Sequence, residues 1–127
     1  MNQQGAGSIV NIASIYGMVG PDFTIYEGTP VHNTVSYSFA KGGMLNMTRY
    51  LASYLAPHGV RVNAISPGGV ETAQTPGSFL ANYNRKVPMR RMAQGLDLQG
   101  AAVFLASDAA AYITGQNIAV DGGWTAI

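Results

Sequence analysis

Two short runs of β-branched and apolar residues, 8–14 and 60–66, bracket one long apolar segment from about residue 36 to residue 57. Each run is short, mostly apolar and closed by a serine, the pattern of a strand buried within a parallel sheet. The segment between them carries Phe39, Met44, Leu45, Met47, Tyr50, Leu51, Tyr54 and Leu55 all round a helical cylinder rather than in one stripe. A helix of that kind is expected to be covered on two sides, by the sheet and by another helix, the latter from a second subunit. Pro57 and Gly59 stop it. Strand, helix and strand in that order make a right-handed βαβ unit with parallel strands, so the fold class is α/β.

The rest of the chain extends the same theme. Residues 15–34 contain Gly17, Gly20, Pro21, Gly28 and Pro30 without a sustained period, a long loop of the kind that carries function. After Pro67-Gly68-Gly69 a Pro- and Gly-bearing region reaches Gly95, with a short helix expected over 79–85. Leu98, Ala101, Ala102, Leu105 and Ala106 at helical spacing predict a helix over about 96–107. Tyr112-Ile113-Thr114-Gly115 reads as a turn, and 116–121 as a third strand.

Composition narrows the partners. Charged residues are 10% of the 127 and apolar ones 47%, against about 25% charged in an ordinary soluble domain. Part of the apolar surface is therefore expected to be covered by another subunit or by a portion absent from this chain. The net charge is +1 and no Lys/Arg cluster exceeds Arg90-Arg91, which argues against nucleic acid and against an acidic membrane surface. With no cysteine, and with His32 and His58 far apart, no metal site is expected. The N-terminus has no basic n-region and no apolar run long enough for a span, so a cytoplasmic setting is expected.

The chemistry centres on Tyr37 and Lys41, four residues apart at the start of the long helix, where side chains at i and i+4 meet. An ammonium within ~4–6 Å of a phenol favours its phenolate. General acid–base work near neutral pH needs that. A lone Tyr-x-x-x-Lys is equally a half-buried ring beside a solvated charge. Its company is more specific: small residues Ala40, Gly42 and Gly43, a preceding strand that ends in Ser14, and a Pro-Gly-Gly turn after the next strand.

Asn11-Ile12-Ala13-Ser14, Tyr37-Ser38-Phe39-Ala40-Lys41, Asn63-Ala64-Ile65-Ser66-Pro67-Gly68-Gly69-Val70-Glu71-Thr72, and Tyr112-Ile113-Thr114-Gly115 with Val120-Asp121-Gly122-Gly123 occur in this order along the whole chain. Together they resemble the short-chain dehydrogenase/reductase family. The resemblance implies a Rossmann-like doubly wound parallel sheet, here truncated to about three strands with flanking helices. It implies reversible hydride transfer between NAD or NADP and a small carbonyl or alcohol substrate. Tyr37 would give or take the proton, Lys41 would favour the phenolate and hold the nicotinamide ribose, and Ser14 would bond the substrate oxygen. Pro67, Gly68, Val70 and Thr72 would form the turn against the nicotinamide and its phosphates. The glycines at 68 and 69 would let the backbone approach a ligand closely, at the carboxyl ends of parallel strands where ligands sit. A homo-oligomer through the 36–57 helix is also implied.

Four family features are missing: the glycine-rich phosphate loop, the residue that selects NAD or NADP, the Asn-Ala-Gly segment and the catalytic asparagine. Residues 1–127 therefore read as the C-terminal, catalytic part of one Rossmann-type domain without its dinucleotide-binding half. The alternative is a truncated, inactive fragment serving only oligomerisation or structure. In loop 15–34, Asp22, Tyr26, Glu27 and His32 are available to a polar substrate, and the wording of that loop faintly resembles members placed in carbohydrate pathways. Bland roles compete throughout. Ser14 equally caps a strand end, Asn11 and Asn63 read as structural, His32 as a loop residue and His58 as a helix C-terminal group. Phe39, Tyr50 and Tyr54 belong to the core or an interface, and Trp124 is expected against a neighbouring subunit. The 8–12 edge is expected to be unpaired on one side.

Overall fold

The structure, a computed structural model, describes residue 1 and residues 4–127. Three parallel strands, β1 (Gly7–Ile12), β2 (Val60–Pro67) and β3 (Asn117–Val120), form a sheet in the order β1-β2-β3. Ile9 is in register with Val62 and Ile12 with Ile65, and Ile65 continues the ladder to Ile118. Helix α1 (Val35–Leu55) connects β1 to β2, and helices α2 (Gly77–Lys86) and α3 (Gln99–Ala106) lie between β2 and β3. This is the parallel α/β arrangement expected of the strand and helix patterns.

The central strand decides where the core sits. Alternate residues of a strand face opposite sides, and Val60, Val62 and Ala64 face α1, where Leu45 and Ala52 meet them. Ile65 faces the other side with Leu105 and Ala110. Each such fully buried aliphatic side chain contributes roughly 1.5–3 kcal/mol. Polar residues inside the sheet are all spoken for. Asn63 Nδ2 donates to the Ile113 carbonyl at 2.9 Å and its Oδ1 accepts from the Gln116 N–H at 3.0 Å. Asn11 Nδ2 donates to Thr48 Oγ1 at 2.9 Å, tying β1 to α1. Asn63, in the central strand, bonds neighbouring backbone, and Asn11, in the edge strand, bonds a side chain of α1.

Helix α1 runs into a tight turn at Ala56–His58 and stops at Gly59, whose φ of +71° favours glycine. A Cβ there would also lie 2.1 Å from the Gly5 carbonyl oxygen.

Several expectations are corrected. β1 is half-buried rather than buried, and Ile12 is 50% exposed, because β1 is the edge strand and pairs only with β2. The expectation for α1 is not among them: Leu45, Thr48 and Ala52 are buried against the sheet as expected, while Phe39, Tyr50 and Tyr54 face outward, Tyr50 and Tyr54 stacked on each other. The helix expected over 96–107 is two pieces, a tight turn at Gly95–Leu98 and then α3. Asp97 closes that turn by accepting the Gln94 N–H at 2.7 Å. Trp124 turns inward instead of toward a neighbour. It is 5% exposed and stacks on Tyr83 with ring centroids 4.8 Å apart. With Ile15, Ile25, Val87 and Met92 these two rings form a second core beyond the carboxyl end of the sheet. No helix among the described residues is long and apolar enough to cross a membrane.

Candidate active site

The carboxyl ends of β1 and β2 open onto a cleft of about 500 Å³. On the β1 side, pairing continues one residue past the strand, with the Ala13 N–H donating to the Ile65 carbonyl at 2.8 Å. Ser14 then turns out in an extended conformation and caps the tight turn Ile15–Gly17, its Oγ accepting the Tyr16 N–H at 3.2 Å. Ser14 is 6% exposed and lines the cleft, so capping and facing the cleft coexist in one residue. Its own O–H remains to be donated.

Helix α1 supplies the cation and the phenol. Lys41 Nζ donates to the Ile12 carbonyl at 2.7 Å and lies 5.7 Å from the centroid of the Tyr37 ring. The spacing of one helical turn thus brings the two together, and the end of β1 pins the ammonium beside Ser14. An ammonium has three donors; one is used on Ile12, which leaves two. Gly17 is required here. A Cβ on it would sit 2.6 Å from the Lys41 carbonyl oxygen, so only glycine lets the turn after Ser14 approach α1 this closely.

The third wall is the turn after β2. Pro67, Gly68 and Val70 all line the cleft. Gly68 N–H donates to the Val120 carbonyl at 3.0 Å, Gly69 N–H donates to Tyr83 Oη at 2.6 Å, and Val70 bridges to Ala93. Both glycines line the cleft, and neighbours within the chain also crowd them. A Cβ on Gly68 would lie 2.7 Å from Tyr83 Oη, and one on Gly69 2.8 Å from Tyr83 Cε2. Tyr83 thus crowds both positions, together with Asp121 Cα at 3.0 Å from the first and Met92 Cε at 2.7 Å from the second.

The structure therefore brings Ser14, Tyr37, Lys41, Pro67, Gly68 and Val70 to one cleft and leaves Thr72 outside it. The Thr72 N–H donates to Thr75 Oγ1 at 2.9 Å and its own Oγ1 accepts from the Gln74 N–H, so its polar groups shape a local turn. Of the polar loop residues, Tyr26 and His32 line the cleft. Asp22 pairs with Lys86 at 2.8 Å and fastens the loop to α2. Among the described residues no group of metal-ligating side chains comes together.

Sequence reasoning missed Tyr16 and Tyr83. Both line the cleft, and burial pushes both phenols above their ordinary range. Tyr16 was legible only as a loop residue two positions after Ser14. Tyr83 carries no local signal, because its role arises from the turn it supports 14 residues away.

Comparison with known proteins agrees with the parallel α/β fold. Residues 1–125 match the family described as enoyl-(acyl carrier protein) reductase. The cis-4-hydroxycyclohexanecarboxylate dehydrogenase of Sinomonas cyclohexanicum is 41% identical over 130 residues, which cover 100% of this chain and 48% of the relative. A short-chain dehydrogenase of Leptospira borgpetersenii, solved with bound NAD+, superposes with a TM-score of 0.86 at 42% identity, covering 98% of this chain and 47% of that one. A gluconate 5-dehydrogenase of Burkholderia cenocepacia, solved with NADP and tartrate, also gives 0.86, at 28% identity over 99% of this chain and 48% of that one. The chain spans about half the length of the curated relatives it matches. A match over residues 1–125, dehydrogenases aligned from end to end of the chain and the shared parallel fold lead to one conclusion: the chain belongs to the short-chain dehydrogenase/reductase family.

Proposed function

We propose that this chain carries the proton-handling part of an NAD- or NADP-dependent oxidoreductase that interconverts an alcohol and a carbonyl on a small molecule. The observation that carries this reading is the convergence of Ser14, Tyr37 and Lys41 on one cleft, with the ammonium held on Ile12 beside the Tyr37 ring. Tyr37 Oη gives its proton to the substrate oxygen in reduction and takes it back in oxidation. Ser14 donates its O–H to the same oxygen and fixes where that oxygen lies. Lys41 supplies the positive charge that favours the phenolate, and its two remaining donors suit the vicinal hydroxyls of a ribose. The nicotinamide, when bound, supplies or accepts the hydride. The cleft fits such a group: it is open at the carboxyl ends of two parallel strands, and Pro67, Gly68 and Val70 line it together with Lys41. The N–H groups of Gly68 and Gly69 are already engaged, so that edge contributes shape, carbonyl groups and the Val70 N–H. Thr72 holds the following turn. Relatives that act, by name, on a hydroxycyclohexanecarboxylate and on gluconate support a small hydroxylated, sugar-like substrate. Relatives solved with NAD+ and with NADP support either cofactor. A homo-oligomer formed through α1 belongs to the same reading.

A second reading, a structural or oligomerising piece without turnover, is favoured by the outward aromatic residues of α1 and by the half-length alignment. One experiment separates the two. Trp124 stacks on Tyr83, which lines the cleft, so cofactor binding is read from its emission. Saturable quenching by NAD(P)H, with carbonyl-dependent oxidation of the cofactor that falls about 100-fold or more in Tyr37→Phe, supports the enzyme. Absence of both supports the structural piece.

A further inference from the structure

The loop after β1 brings together two phenols whose pairing nothing in the sequence announces. Tyr26 Oη and Tyr16 Oη lie 2.9 Å apart, and both side chains line the cleft that holds Ser14, Tyr37 and Lys41. Two phenols own two O–H protons, and their mutual bond consumes one. Among the described residues neither oxygen bonds any other protein group, so the pair keeps one unspent O–H together with free lone pairs.

The pair is held in place from both ends. Tyr16 is fixed through its N–H to Ser14 Oγ at 3.2 Å. The turn Phe23–Tyr26 is capped by Asp22, which also pairs with Lys86, and Asn82 Nδ2 donates to the Ile25 and Glu27 carbonyls at 3.1 and 3.0 Å. The Tyr26 ring lies 5.4 Å from that of Phe79, so α2 supports it directly.

Burial pushes both phenols above their ordinary range, Tyr16 the further, and the pair stays neutral. Neither phenol bonds a cation: Lys86 pairs with Asp22, and Lys41 donates to the Ile12 carbonyl and lies over the Tyr37 ring. The pair offers one O–H and lone pairs but no charge, so a carboxylate placed here would use the single O–H and leave the lone pairs unmet. A hydroxyl is the better complement, since it both accepts and donates. Phe79 and Tyr83 beside the pair present aromatic surface to a C–H face.

The geometry points to the Tyr16–Tyr26 pair as a substrate subsite that binds a second, non-reacting hydroxyl of a polyalcohol, alicyclic or sugar-like, and thereby selects polyols over simple alcohols. The proposal rests on the functional reading above in placing the reacting oxygen at Ser14 and Tyr37. The pair touches the substrate away from the reacting carbon and sets specificity, not the rate of proton transfer.

The test uses the full chain and two matched probes, quinitol, a cyclohexane ring with two opposed hydroxyls, and cyclohexanol, which lacks one of them. Affinities are read by saturation-transfer NMR and by Trp124 emission, with circular dichroism confirming that each variant is folded. The unaltered chain is expected to bind quinitol about tenfold more tightly than cyclohexanol, the size of one good hydrogen bond. Tyr16→Phe is expected to cut that preference to about twofold or less with cyclohexanol affinity unchanged. Tyr26→Phe, which removes the partner that orients Tyr16, is expected to cut it at least about threefold. Equal binding of the two probes by the unaltered chain, no binding of quinitol, or an undiminished preference in both variants overturns the subsite. Tyr37→Phe keeps the two ideas apart. If it retains turnover while Tyr16→Phe loses the preference, the catalytic reading fails and the subsite stands; if it loses turnover while Tyr16→Phe keeps the preference, the reverse holds.

Discussion

Lys41 Nζ donates to the Ile12 carbonyl across 29 residues of sequence, at 2.7 Å, and this contact joins the helix that carries Tyr37 to the strand that leads to Ser14. Without it the ammonium would be free to turn into solvent, since Lys41 lies near the exposed start of α1. Lys41→Met removes both the anchor and the charge beside Tyr37. We expect steady-state turnover to fall by about 100-fold or more, with Lys41→Arg recovering part of it. The cost in stability is expected to stay below about 1 kcal/mol, because the bond is solvent-exposed.

Gly17 faces the backbone of the same residue. Gly17→Ala would place a Cβ 2.6 Å from the Lys41 carbonyl oxygen, with main chain on both sides and no flexible side chain to yield. The expected result is a loss of about 1–3 kcal/mol in urea unfolding. A fall in turnover should accompany it, because relief of the clash moves Ser14 and α1 apart.

Tyr83 combines two roles that substitution separates. Tyr83→Phe keeps the stack on Trp124 but leaves the Gly69 N–H without its acceptor, and an expected cost of about 1–3 kcal/mol follows from the unmet donor. Tyr83→Ala also empties the second core, and the expected cost rises to about 3–5 kcal/mol. Thermal denaturation followed by Trp124 emission reads both.

Acid is expected to loosen the loop before it reaches the sheet. The Lys86 ammonium and the Thr24 groups hold the Asp22 carboxyl at about 2, and the Arg91 guanidinium with the Gln94 N–H holds Asp97 at about 2. In the unfolded chain both titrate near an ordinary value of about 3.9. The folded form therefore binds fewer protons. These carboxylates contribute fully above about pH 4–5, and the contribution is lost as pH falls through about 2. Asp22→Asn should flatten that acid limb in urea titrations. Added salt should do the same, since both pairs are exposed enough to be screened.

The outward face of α1 is the expected seat of self-association. Phe39 is 82% exposed, and Tyr50 and Tyr54 stack on each other at 6.2 Å with no further cover. Sedimentation velocity should find a second copy of this chain on that face. Tyr50→Glu with Tyr54→Glu should shift the population to monomer while the far-ultraviolet spectrum is unchanged. An unchanged sedimentation coefficient would count against α1 as the seat.

Much of this molecule was readable before any coordinate. The runs at 8–14 and 60–66, the helix beginning beside Tyr37 and the stop at Gly59 are local signals. Pattern period, β-branching and a glycine in a left-handed turn act within a few residues and need no distant partner. The i, i+4 meeting of Tyr37 and Lys41 is equally a property of the helix itself. Packing between segments far apart in the chain decided the rest. It sets Tyr83 under the 67–70 turn, folds Trp124 inward, leaves Thr72 out of the cleft and brings Tyr16 to Tyr26. None of these follows from neighbours in sequence. Each depends on which surfaces are left to bury once the sheet has formed, and that is a property of the assembled fold alone.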